Sequence, residues 1–191
     1  MSYDLPRPAG RLLLTPEDKE APARARRLAL LGLGEHPEPA LDAFAHRLAE
    51  RVAAPYAMVN FIGEQRQFFA GLRVPEARPR ATTDEAKPEI GRFMERDHGF
   101  CPHVVVRRKA LVLEDVRDYP RFAGNPVVDE FGIHSYLGAP LIDTTGMVLG
   151  TVCVADIEPR AWGKAGLENI KSTAADLVAR LEPPAAETFA R

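Results

Sequence analysis

The stretch Asp97-His98-Gly99-Phe100-Cys101-Pro102-His103 sets one of only two cysteines before a proline and two residues ahead of a histidine. Cys101 then has four readings: nucleophile, metal ligand, pocket contact or small apolar filler. Pro102 suits the first position of a helix, which would place Cys101 at the N-cap. Backbone N–H groups and the helix dipole there favour a thiolate, and a protonated His103 would add to that. Against this stands the more ordinary case, a buried cysteine packing as a small hydrophobe. His98, Cys101 and His103, with Asp97 beside them, could offer three donors to zinc or copper. The group straddles a helix start, however, so its side chains need not converge, and only His134 suggests a fourth donor. No metal and no cofactor is assigned.

The elements that must position Cys101 follow from hydrophobic spacing. Residues 21–35 and 38–54 have helical periodicity, the second with Leu41, Phe44, Leu48 and Val52 on one face. The period then shortens. Residues 56–63 and 66–72 are β-rich runs separated by Glu64–Gln65, which predicts an antiparallel hairpin. Residues 73–97, with three prolines and many charges, form a long connection, either a lid or a surface insertion. A short helix (101–109), a strand (110–116), a turn-rich stretch (117–132), two strands (133–143 and 147–156) and a last helix (163–182) complete the order. In the last helix Leu167, Ile170, Ala174, Leu177 and Leu181 share a stripe. Residues 1–20 read as a flexible N-terminal arm, 21–182 as a single domain and 183–191 as a flexible tail.

This order predicts an α+β domain. A central antiparallel sheet would carry the long helices 38–54 and 163–182 on one face, with the short helix and loops roofing a pocket on the other. The formal net charge of -2 and pI near 6.2 give no global attraction to nucleic acid or anionic membranes. No apolar run approaches the roughly 20 residues of a membrane helix, and the N-terminus lacks a secretion-signal pattern. A cytoplasmic location with two free thiols is therefore expected.

The stretches "FCPHVV" (100–105), "LVLEDVRDYPRFAGNPVV" (111–128), "GIHSYLGAPL" (132–141) and "GTVCVAD" (150–156) resemble GAF domains, particularly those of bacterial sensor kinases. The resemblance spans about residues 25–182. It implies a small-molecule sensor fold with cavity-facing positions on the last two strands. Strand alternation sets Tyr136 and Gly138 on one face, and Thr151, Cys153 and Ala155 on one face of the next strand. The expected ligand-binding set is Phe68, Phe100, Cys101, His103, Val104, Tyr136, Thr151 and Cys153, with Met58 a further wall residue. Few charges point to a small neutral or weakly anionic ligand.

The resemblance extends to an enzyme group of this fold, the free methionine-R-sulfoxide reductases, which have a cysteine matching Cys101. Their second cysteine would fall within 116–134, where this chain has none. The substrate-binding acidic positions read Cys153 and Ala155. The expected function is therefore non-enzymatic: a sensor that binds a small ligand or reports redox state to a partner such as a histidine kinase. A thiol-dependent reductase and a ligand-free dimerisation scaffold are the alternatives. Helices 21–33 and 163–182 should lie side by side, and Leu28 to Leu33, with little else to cover, suggest a homodimer.

Overall fold

The structure, a computed structural model, describes residues 15–75 and 89–182. The expected tail, most of the expected arm and the middle of the 73–97 connection lie outside the described residues.

Helices α1 (Ala21–Leu30) and α2 (Pro39–Val52) each carry proline in the first turn, where a missing N–H costs nothing. Strands β1 (Tyr56–Ile62), β2 (Arg66–Arg73) and β3 (Phe93–Glu95) follow. Helix α3 (Cys101–Arg107) leads to β4 (Leu111–Leu113), a 3-10 turn at Val116–Asp118, and the short helices α4 (Pro120–Ala123) and α5 (Pro126–Phe131). Strands β5 (Ser135–Ile142) and β6 (Val148–Asp156) and helix α6 (Gly163–Leu181) end the domain.

The sheet has six strands in the order β3-β2-β1-β6-β5-β4, and every neighbouring pair is antiparallel. Because side chains alternate along each strand, the sheet divides the apolar residues into two cores. Ala57, Val59, Phe61, Leu137, Val152 and Val154 face Leu41 and Leu48 of α2 and Ile170 and Leu177 of α6. Met58, Ile62, Phe69, Tyr136, Cys153 and Ala155 face the opposite way, beneath Phe100, Cys101, Val104, Phe122 and Val127. The expected α+β architecture, two long helices behind a sheet and a short-helix roof in front, is what forms.

Four local expectations are corrected. The 73–97 connection contains β3, which pairs Phe93 with Phe68 at the sheet edge. Three residues are too short a run to show alternation amid so many charges. Phe68 lies on the α2 side of β2, not at the pocket. Side-chain parity decides this: Gln67 and Phe69 take the pocket face, and Phe68 stacks at 5.2 Å on Phe93.

Third, Leu28 and Leu33 are not left for a partner. Both are buried in the chain's own core, α1 lies against β1 and β6, and only Leu30 projects, 80 % exposed. Fourth, residues 15–20 are fastened, not loose. Asp18 accepts hydrogen bonds from Arg24 at 2.6 and 3.0 Å and from Arg96 at 2.6 Å. Arg24 is fully buried and also donates to the Val148 carbonyl at 2.6 Å.

Candidate functional site

Cys101 opens α3, with Phe100 rather than Cys101 at the N-cap and Pro102 in the first turn. What aims it is the turn before it. Gly99 adopts φ +74, a left-handed conformation that glycine reaches without steric cost. The side-chain amide of Asn125 closes on this turn from both ends. Its Oδ1 accepts from Gly99 N–H at 2.8 Å and its Nδ2 donates to Gly99 O at 2.9 Å. The same Oδ1 caps α5 through Val127 N–H at 3.2 Å. One buried side chain thus locks the roof helices α3 and α5 together.

The Cys101 thiol points down onto the centre of the sheet. Its Sγ stands 3.3 Å from Tyr136 Oη on β5 and 3.8 Å from Cys153 Sγ on β6. Cys153 Sγ lies in turn 3.8 Å from Met58 Sδ on β1. Both cysteines are free and buried. Register explains the meeting: Met58 pairs with Cys153 across β1–β6, and Cys153 with Gly138 across β5–β6. Tyr136 reaches Cys101 by lying over Gly138, where any β-carbon would strike its own ring.

The electrostatics follow from this contact. A hydrogen bond from Cys153 lowers the Cys101 pKa to about 6, against burial that raises it, with the Tyr136 hydroxyl assisting. Cys153 is pushed well up, first by its bond to Cys101 and then by burial. Cys101 is therefore the more acidic of the two buried thiols. Tyr136, raised by burial, stays a neutral phenol.

The space beside the thiols is about 40 Å³, lined by Met58, Phe69, Ile90, Phe100, Tyr136 and Cys153 among others. Ligand pockets usually measure about 300–1,000 Å³, so this space is far smaller than a typical binding site. Larger surface clefts, about 490 and 510 Å³, contain neither cysteine.

Of the residues expected at the site, Phe100, Cys101, Tyr136 and Cys153 line this space. Thr151 is fully buried, its hydroxyl without a hydrogen-bond partner. Val104 packs in the roof core. His103 points aside, its ring edge-on to Phe122 at 4.9 Å. Burial, then Arg121 and Arg107, depress its pKa to about 4, so it is a neutral ring and supplies no positive charge to Cys101. His98 hydrogen-bonds Asp97 at 2.9 Å near the surface, so His98, Cys101 and His103 do not converge. Phe69, Ile90 and Met94 were missed, as was Gln67, whose Nε2 donates to the Glu95 and His98 carbonyls at 2.8 and 2.6 Å. The adjacent aromatic pair Phe68–Phe69 was the available signal, and only the strand's register tells which member faces the roof.

The family model of the GAF domain matches residues 36–181. The chain belongs to the GAF family. This GAF domain is a member of a general sensor and ligand-binding fold. It is 32% identical over 152 residues to a cyclic di-GMP phosphodiesterase of Pseudomonas aeruginosa. That stretch is 76% of this chain but 22% of the relative, so the chain spans about a fifth of that curated protein's length. Among solved structures, the GAF domain superposes on a free methionine-R-sulfoxide reductase from Neisseria meningitidis with TM-score 0.58 at 14% identity, covering 87% of this chain and 92% of the other. It superposes on the GAF domain of an Acinetobacter phosphoenolpyruvate-protein phosphotransferase with TM-score 0.54 at 16% identity, covering 86% and 94%. At such identities the likeness is one of fold. Among the described residues, no helix is long and apolar enough to cross a membrane.

Proposed function

We propose that this GAF domain is a non-enzymatic redox sensor whose input is the Cys101–Cys153 pair and whose output is a change in a partner protein, such as a histidine kinase. The supporting observation is the 3.8 Å separation of the two buried sulfurs. A disulfide needs them about 2.05 Å apart, a movement of the scale of a side-chain rotation and a small shift of α3. The oxidant class is a hydroperoxide. The Cys101 thiolate attacks the peroxide oxygen, giving a sulfenic acid and releasing hydroxide or an alkoxide. The Cys153 sulfur then attacks the sulfenic sulfur, its proton leaving with the hydroxyl as water. The bond so formed would tie the first residue of α3 to the middle of β6 and bias the roof toward one of two arrangements.

A thiol-dependent reductase remains the second reading, because Cys153 stands where a second thiol is needed, a contact that residues 116–134 do not supply. The space beside Cys101 weighs against it: about 40 Å³ is far below the roughly 300–1,000 Å³ of ordinary substrate pockets.

The test is mass spectrometry of the reduced chain after brief peroxide treatment. The expected product is a species lacking two hydrogens, with Cys101 and Cys153 in one cross-linked peptide. In Cys153→Ser, Cys101 should instead be trapped as a sulfenic acid by dimedone. Two cysteines that stay reduced, or that oxidise independently, would refute the reading.

A further inference from the structure

Cys101 Sγ, Cys153 Sγ and Met58 Sδ form a chain of sulfurs with successive separations of 3.8 Å. Three donors each held about 2.3 Å from one cation stand about 4 Å apart. These two separations therefore suit a shared ion as well as they suit thiol contacts. We propose that Met58, Cys101 and Cys153 form a binding site for a soft monovalent cation, Cu(I).

The donor set selects the metal class. Two thiolates and a thioether are soft ligands, which favour Cu(I) over hard cations. Structural zinc takes four ligands, and among the described residues no three of His, Cys, Asp and Glu gather to provide them. The surroundings also fit a singly charged ion. The wall is Phe69, Ile90, Phe100 and Val127, with no charged side chain. Two thiolates around Cu(I) leave one net negative charge, which hydroxyl donors can offset. Tyr136 Oη is 3.3 Å from Cys101. Thr151, on the same face of β6 as Cys153, is buried with its hydroxyl unpartnered. That orphaned hydroxyl is the kind of group a thiolate–metal centre would engage.

The three ligands come from three elements: β1, β6 and the start of α3. The strands hold Met58 and Cys153 in register, and the Asn125 clamp on Gly99 holds Cys101. Metal entry displaces the thiol protons, so binding releases protons and strengthens as pH rises. The proposal shares its thiols with the redox reading but stands without it, because Met58 takes no part in a disulfide.

The test is an anaerobic titration of the reduced full chain with Cu(I) in competition with bicinchoninate. A single equivalent should be withdrawn from the chelator, with thiolate-to-copper absorption appearing in the ultraviolet. Met58→Leu, close in volume, should weaken binding by about tenfold or more, since loss of even an outer partner costs that much. The same variant should still form the Cys101–Cys153 disulfide with peroxide, so a failed metal site and a failed redox pair give different results. Wild-type affinity in Met58→Leu, undiminished binding in Cys153→Ser, or displacement of Cu(I) by equimolar Zn(II) would overturn the proposal.

Discussion

The phenol of Tyr136 lies across the α-carbon of Gly138, two residues along the same strand, and that is how its hydroxyl reaches the Cys101 sulfur. A side chain at 138 would occupy the place of the Tyr136 Oη. Gly138→Ala should therefore destabilise by about 1–3 kcal/mol, the usual cost of an overpacked core site. In a Tyr136→Phe background the penalty should shrink, because the atom in deepest conflict has gone. Urea denaturation of the four members of this double-mutant cycle measures the coupling. Equal penalties in both backgrounds would show that the ring does not rest on Gly138.

Asn125 makes three hydrogen bonds, to both backbone groups of Gly99 and to Val127 N–H. Asn125→Ala leaves buried backbone donors and an acceptor unsatisfied, which costs about 1–3 kcal/mol each before relaxation. We expect at least about 2 kcal/mol lost in equilibrium denaturation, within that range. Amide exchange should accelerate at Gly99 and the start of α3, while the β1–β6 ladder stays protected. Uniform loss of protection would mean that Asn125 does not act locally.

Asp18 is the counter-ion of a fully buried Arg24 and of Arg96. Asp18→Ala strands a buried guanidinium and should cost about 3 kcal/mol, at the lower end for broken buried pairs because Arg24 keeps its bond to the Val148 carbonyl. Burial pushes the Asp18 pKa up, but its bonds to Arg24 and Arg96 prevail, and the pKa lies below the ordinary carboxylate value. The unfolded chain thus binds this proton more readily than the folded one. The contribution of Asp18 is complete above about pH 4 and is lost as pH falls through the lowered pKa. Denaturant midpoints from pH 7 to pH 2.5 should fall less steeply in Asp18→Ala than in wild type.

Gly71 sits where β2 passes the backbone of α2. A β-carbon there would meet the Leu41 carbonyl, a wall that does not yield. Gly71→Ala should cost about 2–3 kcal/mol. Gly91, with open space around it and no left-handed backbone, is the control, and Gly91→Ala should change the thermal midpoint little. Similar losses at both positions would contradict this close approach.

The elements with strong periodicity were legible. The α2 and α6 stripes, the β1–β2 hairpin and the alternation of β5 and β6 each follow from residue spacing, and together they place Tyr136 and Cys153 under Cys101. Three features were not. Phe68 and Phe69 are adjacent aromatics of equal β-propensity, and their parity depends on pairing, including a bulge opposite Val59–Asn60 that leaves Ala70 unpaired. The β3 strand exists because Phe93 and Met94 find the edge of β2, a tertiary gain that three residues cannot advertise. The contact between Cys101 and Cys153 joins positions 52 residues apart; it arises from strand order and the Asn125 clamp, neither of which is a local property. The seeming exposure of Leu28 and Leu33 came from counting α1 as an outlying helix, when Arg24 pins it to the sheet through the Val148 carbonyl.

The sheet order has a consequence for how the chain is made. Its central pairing, β1 with β6, joins Tyr56 to Ala155 and Phe61 to Gly150. The strand that completes the middle of the sheet is the last one the ribosome delivers. Before β6 emerges, β3–β2–β1 and β5–β4 are separate ribbons that each lack their β6 neighbour, and neither helix layer has a full floor. Pairings between such distant positions slow folding, so Cys101 should stay uncovered until β6 arrives with Cys153. An oxidant acting during synthesis would therefore meet Cys101 before Cys153 is in place to pair with it.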